Sequence, residues 1–313
     1  MATYKEIHGV KVQYRDSDAT AIEGDVWYNA GTGKLKLYSA VGTWSSGGAM
    51  NTARNGHASA GTLTAGLAFS GPSVNCETYD GSSWAEVGNV NEARSHLGGF
   101  GTQTAAICVG GTANGGFTEK WDGTSWTEVG DLNTARGQVN ANGTTTDGIV
   151  FGGSPGLKTE TEEYNGTSWA EQNDLNAGRR YIEGSGATGQ AALAFGGNSS
   201  NPGSGYSAAN ESYDGTSWTE TADLNSGRFG AGSCGTQTIA LLVSGHESGD
   251  TETLKVESWD GSSWTEIADV SNGSNGISAT GTGQEALRSG GNSPDTITEE
   301  FSGVAAIQTV SFD

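Results

Sequence analysis

The chain has 313 residues, 52 of them glycine and 4 proline. Glycine stands at more than twice its usual share of about 7%, yet no Gly-X-Y period exists and no apolar run approaches 18 residues, so collagen and a membrane-spanning helix are excluded. Fifteen Lys and Arg against 36 Asp and Glu give a formal net charge of −21, which repels phosphate backbones and removes nucleic acid from the expected partners.

The first eight residues carry no apolar segment, so no secretory signal is expected. Asp16-Ser-Asp18 holds two carboxylates but no calcium-loop spacing, and reads as a polar linker. Glu23 to Asn29 and Thr32 to Lys36 read as the two strands of a hairpin, followed by Trp44. Residues 1–44 therefore form an N-terminal docking segment, and 45–313 a second region built on a repeat.

The repeat is explicit. Tyr79-Asp-Gly-Ser-Ser-Trp84 recurs with small changes ending at Trp126, Trp169, Trp218 and Trp264, after a looser copy at Trp44. The six tryptophans lie 40, 42, 43, 49 and 46 residues apart, the period of a four-stranded propeller blade. Ten residues after the Trp comes Arg54, Arg94, Arg136, Arg179 or Arg228, with Ser274 in the sixth unit. An apolar run ending in two small residues follows, as in Ile107-Cys-Val-Gly-Gly111. Then comes a Glu two residues before an aromatic: Glu77, Glu119, Glu162, Glu211, Glu257 and Glu299.

Each unit thus predicts four strands: a small-residue strand after the Arg, the apolar run, Glu-x-Tyr, and Ser-Trp-x-Glu. Asp-Gly or Asn-Gly joins the last two, which predicts a type I′ hairpin with positive φ at both central residues. The fold expected is all-β, a six-bladed kelch-like β-propeller with a short N-terminal β-hairpin segment. The closing strand of the sixth blade comes either from the N-terminus around 36–48 or from Ile307 to Phe312.

A residue present in every blade serves a need of every blade. The Arg and Glu sets are therefore predicted to be buried ion pairs tying strands together, with Arg288 replacing the missing sixth Arg. No catalytic residue is assigned. Cys76, Cys108 and Cys234 are far apart and unpaired, and read as small buried residues. Among the four histidines only His57 and His96, just after the blade Arg, offer a conceivable joint metal site. Ordinary polar roles are the stronger reading, and neither metal nor cofactor is expected. Sialidase Asp boxes space Asp and Gly two apart, whereas here they are adjacent, so these are read as turns alone.

Length variation concentrates between the small-residue pair and the Trp, which are 13 to 21 residues apart, whereas Arg to Gly stays at 17 or 18. Variable loops on a fixed frame are where binding concentrates. The candidate ligand-binding residues are Asn198 and Tyr206 in the longest loop, His246 in the next, and Phe117, Leu157 and Lys158 in shorter ones.

The small-residue pair after an apolar strand, then Tyr, then Trp, resembles the kelch-type propellers, including galactose oxidase-like ones, over roughly residues 45–302. The Tyr-to-Trp spacing of 5 is shorter than the kelch pattern has. The block Glu23 to Lys36 with Trp44, joined to Asn51-Thr-Ala-Arg54, resembles structural proteins of marine tailed bacteriophages. That resemblance implies a non-enzymatic virion protein of the tail fibre or appendage kind. Its N-terminal segment would contact other virion proteins, and its propeller loops would bind a host surface glycan or protein, without membrane insertion. A decoration protein of capsid or tail, and a sialidase-like glycan hydrolase, are the alternatives.

Overall fold

The computed structural model describes residues 13–15, 26–111, 115–200, 205–249, 251–292 and 296–309. No helix occurs among them. The chain divides into two compact units, residues 44–302 and residues 1–43 with 303–313.

The first unit is a six-bladed β-propeller. Blade 1 is an antiparallel sheet of Ala58–Thr62, Ala65–Phe69, Cys76–Tyr79 and Trp84–Val87, in sequence order from inside to outside. Blades 2 to 5 repeat this order, from Gly98–Thr102 at the inner edge of blade 2 to Trp264–Ile267 at the outer edge of blade 5. In the sixth sheet Ser278–Gly281, Glu285–Ser289 and Thr298–Thr309 are followed outward by Lys34–Ser46. The closing strand therefore comes from the N-terminus. The Trp44 ring packs tilted against Phe301 at 5.1 Å, and the Gly47 amide donates to the Thr298 carbonyl at 2.9 Å. The alternative at 307–312 falls away, because Ile307 to Thr309 end the sixth blade's third strand, and 310–312 lie outside the described residues. Closing the ring gives every blade a neighbour on both faces.

In the second unit Val26–Asn29 pairs antiparallel with Lys34–Leu37, and Gln13–Arg15 runs parallel to Val26–Asn29. The turn is set by the Asn29 side chain, which accepts from the Thr32 amide at 2.9 Å, while Trp27 is fully buried. Asp16, Asp18 and His8 lie outside the described residues.

The propeller's apolar core is six clusters, each at the junction of two adjacent blades. The outer Trp reaches across each junction. Trp84, Trp169 and Trp218 donate their indole N–H to Thr298, Thr118 and Thr161 of the preceding blade at 2.9–3.0 Å. Where that position holds Cys76, Asn210 or Val256, the indole of Trp126, Trp264 or Trp44 finds no oxygen acceptor.

Each third-strand Glu is buried and paired: Arg54–Glu77 at 2.5 Å, Arg94–Glu119 at 2.6 Å, Arg136–Glu162 at 2.5 Å, Arg179–Glu211 at 2.7 Å and Arg228–Glu257 at 2.8 Å. In blade 6 the cation comes from the second strand, Arg288 to Glu299 at 3.1 Å. The Asn three residues before the Arg has its own task. Asn51, Asn91, Asn133, Asn176 and Asn225 each donate backbone and side-chain N–H to the same Glu, and side-chain N–H to the carbonyl of the outer Trp.

The small-residue pair links blades. The amides of Gly71, Gly111, Gly153, Gly197, Gly245 and Gly291 donate to the carbonyls of Arg94, Arg136, Arg179, Arg228, Ser274 and Arg54, always in the next blade round the ring. A Cβ at Gly110 would come within 2.6 Å of the Arg136 carbonyl; in blades 1 and 5 Ser70 and Ser244 stand at this position, and their Oγ atoms lie 2.7 and 2.9 Å from the Arg94 and Ser274 carbonyls.

The hairpin turns differ from expectation. Gly81 has φ 91°, but Asp80 is not in the positive-φ region, so the I′ turn expected at Asp-Gly does not form. The cause is the Asp80 carboxylate, which takes the amides of Ser82 and Ser83 at 2.9 and 2.8 Å.

Removing one partner of a buried pair strands the other charge, which costs about 3–5 kcal/mol. Arg136→Ala is expected to lower stability by that amount in urea unfolding. Arg288→Ala is expected to match it, although Arg288 lies outside the repeat pattern. A loss below about 0.5 kcal/mol for Arg288→Ala would show that Glu299 does not depend on it.

Candidate functional site

Two residues after each blade Arg the chain enters the inner strand in a left-handed turn. The six positions are Gly56, His96, Gln138, Tyr181, Gly230 and Gly276, with φ between 50° and 66°. They circle one mouth of the central channel, and hydrogen bonds run from five of the six blades to the one before. His96 N donates to Gly56 O at 2.6 Å, Gln138 N to His96 O at 2.7 Å, and Tyr181 N to Gln138 O at 2.9 Å. Gly276 N donates to Gly230 O at 2.8 Å and Gly56 N to Gly276 O at 2.7 Å. Glycine adopts this conformation freely. His96, Gln138 and Tyr181 do not, and backbone strain of this kind costs about 1–3 kcal/mol per residue and concentrates at functional positions.

Aromatic rings gather at the same mouth. The Tyr181 and Phe229 rings lie 5.8 Å apart and within 30° of parallel; Tyr206 stacks on Phe229 at 5.5 Å and 25°. Two imidazoles stand crosswise at either end, His96 against Tyr181 at 5.0 Å and 82°, and His246 against Phe229 at 5.6 Å and 70°. A depression of about 310 Å³ is bounded by His96, Tyr181, Phe229, His246 and Asn275 with the ring glycines 230 and 276. The Asn275 side chain fixes its far wall. Its amide donates to His246 Nε2 at 2.5 Å and approaches Glu252 Oε1 at 3.4 Å, while its carbonyl accepts from Asn292.

The channel beneath holds about 190 Å³ and is lined by the six inner strands. Among its lining residues Glu183 is the one carboxylate, and the matching positions hold Ala58, Gly98, Asn140, Gly232 and Ser278. Glu183 is 8% exposed, and Ser233 Oγ donates to it at 3.2 Å. Burial pushes its carboxyl well above the usual range, against the Ser233 and Ala231 hydrogen bonds. The strand that carries it is also irregular, with a register shift between Gly186 and Thr188.

Of the loop residues singled out from sequence, the structure brings Tyr206 and His246 together in the aromatic group. Asn198 is 3% exposed, and its carbonyl accepts the amides of Ser200 and Gly205, so it shapes the loop from within. Phe117, Leu157 and Lys158 belong to the loops of blades 2 and 3 and do not line the depression. Phe117 is 45% exposed, and Lys158 pairs with Glu160 at 2.7 Å. His57 and His96 do not act together. His57 is buried against Ser289 Oγ at 3.0 Å, and burial with the Arg54 and Arg288 charges holds it well below its ordinary pKa and neutral. Among the described residues no group of three or more His, Cys, Asp or Glu could hold a metal. The three cysteines are buried and free, and burial pushes the Cys108 and Cys234 thiols up to about 12.

Tyr181, Phe229, Asn275, Gln138 and Glu183 were not picked out from sequence. For Gln138 and Tyr181 the signal was present in the alignment of the units, where the second position after the Arg is Gly in three blades and bulky in three.

No protein-family model matches the chain, and no curated protein matches it. Among solved structures the chain is similar to one described as "Structure of YjhT", with a TM-score of 0.67 over 82% of this chain and 96% of that one, at 10% sequence identity. Likeness at that identity shows the propeller fold alone.

Gln138→Gly relieves a left-handed strain of about 1–2 kcal/mol per residue against about 0.5–1 kcal/mol of added chain entropy. Thermal unfolding is expected to show equal or higher stability, and a clear loss would mean that the side chain holds the ring together. Glu183 gives a pH test. Well below pH 4.5 it is protonated in both folded and unfolded chains and has no effect. As pH rises past 4.5 the unfolded chain ionises while the folded one keeps the proton, so stability falls toward the raised folded pKa. Glu183→Gln is expected to melt with the native protein near pH 4 and above it near pH 7.5. A constant gap would contradict the raised pKa.

Proposed function

We propose that this protein is a non-enzymatic virion protein of a tailed bacteriophage, of the tail fibre or appendage kind. It attaches to a host-surface glycan or protein through the propeller face that carries the channel mouth. The observation that carries the reading is the convergence of the two longest variable loops, through Tyr206 and His246, on the aromatic mouth. A rigid ring that presents variable loops is a common arrangement for recognition. The small-residue pairs and the Glu-x-Tyr and Trp strands, in blades of four, support a kelch-type repeat within the propeller class. The phage assignment is supported by the N-terminal block and its junction with the repeat. In this reading that block contacts other virion proteins.

A glycan hydrolase reading has one specific support, the unrepeated carboxylate Glu183 in the channel wall. Hydrolysis of the common two-carboxylate type needs a second acid beside it, and the described channel lining offers none.

Purified protein is expected to bind susceptible host cells saturably, and Phe229→Ala to weaken that binding at least tenfold. An antibody fragment against the propeller is expected to label tail structures of intact particles by electron microscopy. Label spread over the capsid would favour a decoration role. Turnover of host polysaccharide that Glu183→Gln abolishes would overturn the non-enzymatic reading.

A further inference from the structure

We infer that Asn165 is a site of self-catalysed deamidation, at which the hairpin turn of blade 3 activates the side-chain amide for attack by the Gly166 nitrogen. The inference stands apart from the receptor reading and does not depend on it.

The turns between third and fourth strands set the comparison. In four of them the carboxylate of Asp80, Asp122, Asp214 or Asp260 takes the backbone amides of the second and third residues after it, at 2.8–2.9 Å. Blade 3 has Asn165 at this position. Its Oδ1 accepts the Thr167 and Ser168 amides, each at 3.0 Å, and its Nδ2 donates to Ser168 Oγ at 3.4 Å. The donors are the same and the electrophile differs. The backbone amides of Ser83, Ser125 and Ser217 foremost, and at Asp260 the Ser262 hydroxyl, hold the four carboxyls below their ordinary range, Asp80 to about 2. These four groups are therefore ionised near neutral pH. A carboxylate repels a nucleophile and offers it no leaving group, whereas the Asn165 carboxamide is neutral and open to attack.

The chemistry follows from where those amides point. The Gly166 N–H gives its proton to hydroxide, and the nitrogen forms a bond to Asn165 Cγ. The carbonyl electron pair moves onto Oδ1, where two backbone donors already stand. Donors fixed in advance on an oxygen that becomes an anion stabilise the transition state, since a hydrogen bond to a charged acceptor is about twice as strong as one to a neutral acceptor. The Cγ–Nδ2 bond then breaks, and the nitrogen takes a proton from water and leaves as ammonia. Water opens the resulting succinimide at either carbonyl, giving aspartate or isoaspartate. The aspartate product finds the two amides that Asp122 and Asp214 use in their own turns.

The other Asn-Gly pairs are placed differently. The sequence has six, at Asn55, Asn114, Asn142, Asn165, Asn272 and Asn275, of which Asn114 lies outside the described residues. Among the other five Asn165 alone is exposed, and among the described residues its Gly166 amide has no acceptor. The Gly56 and Gly276 amides are committed to ring carbonyls at 2.7 and 2.8 Å. Gly143 is fixed in the inner strand opposite Gly148. Asn272 is half-buried. Of these five side chains, Asn165 is the one whose oxygen receives two backbone amides.

The test incubates the full chain at neutral pH and scores aspartate and isoaspartate at each pair by peptide mass spectrometry. The reference is a free peptide with the sequence of residues 164–169, which has the same Asn-Gly but no fixed turn. Asp214→Asn is the second probe, because Gly215-Thr216-Ser217 repeats Gly166-Thr167-Ser168 and the amides there are already in place. Asn165 is expected to convert before Asn55, Asn142, Asn272 and Asn275, and faster than the same residue in the free peptide. Asp214→Asn is expected to add a second site that converts as fast as Asn165. Conversion no faster than in the peptide, earlier conversion at any of those four pairs, or an unreactive position 214 in a variant that melts with the native protein would overturn the inference.

Discussion

The structure depends on a carboxylate placed where water does not reach. A buried charge is tolerated only when its partners are supplied in good geometry. In each of the first five blades the third-strand Glu receives the Arg guanidinium, an Asn amide and at least one backbone N–H. All of these donors sit on the segment that crosses from the outer strand of one blade to the inner strand of the next. That segment would otherwise be a loop free to lie anywhere on the face; the carboxylate fixes it. The same Arg offers its backbone carbonyl to the small-residue pair of the preceding blade. One residue therefore joins strand to strand through its side chain and blade to blade through its main chain. In the sixth blade Ser274 keeps the second task and Arg288 takes over the first.

That division explains what the sequence made legible. The Arg, Glu, Gly and Trp positions recur because every blade solves the same packing problem, so the fold, the blade number and the ion pairs could be read from spacing. Features set by one local competition could not. The turn at Asp80 was misjudged because a side-chain oxygen takes amides that a backbone-only turn would leave to the main chain. His57 lies beside the channel in sequence, yet two arginines and Ser289 claim its surroundings. The closing strand was ambiguous because both termini carry strand-like segments, and the pairing of Lys34–Ser46 with Thr298–Thr309 and the docking of Trp44 on Phe301 separate them.

The candidate site was hidden for a different reason. His96, Tyr181, Phe229, His246 and Asn275 come from four blades and span 180 residues of chain. They meet because ring closure brings the start of every inner strand to one circle. A periodic reading treats these positions as noise, since they are where the repeat fails to repeat. The failures are not scattered. Blade 4 holds the non-glycine Tyr181, the unrepeated Glu183, the register shift after Gly186 and the longest loop. Blade 5 adds Phe229 and the extra hairpin His246–Glu247 with Thr251–Glu252. Blades 6 and 1 keep glycine at the ring and asparagine beside it.

A regular frame is what makes such departures tolerable. A left-handed Tyr or Gln in an isolated loop would relax to a commoner conformation. Here neighbouring blades hold the amide of each and the carbonyl of Gln138 as well, so the strain is carried by the ring. The side chains then project from a backbone with no freedom left to lose, and a ligand meeting them does not have to order them. Strain in the unliganded protein and preorganisation for binding are the same physical fact at this mouth. It also separates the two kinds of residue on this chain: those repeated six times hold the circle, and those that occur once are held by it.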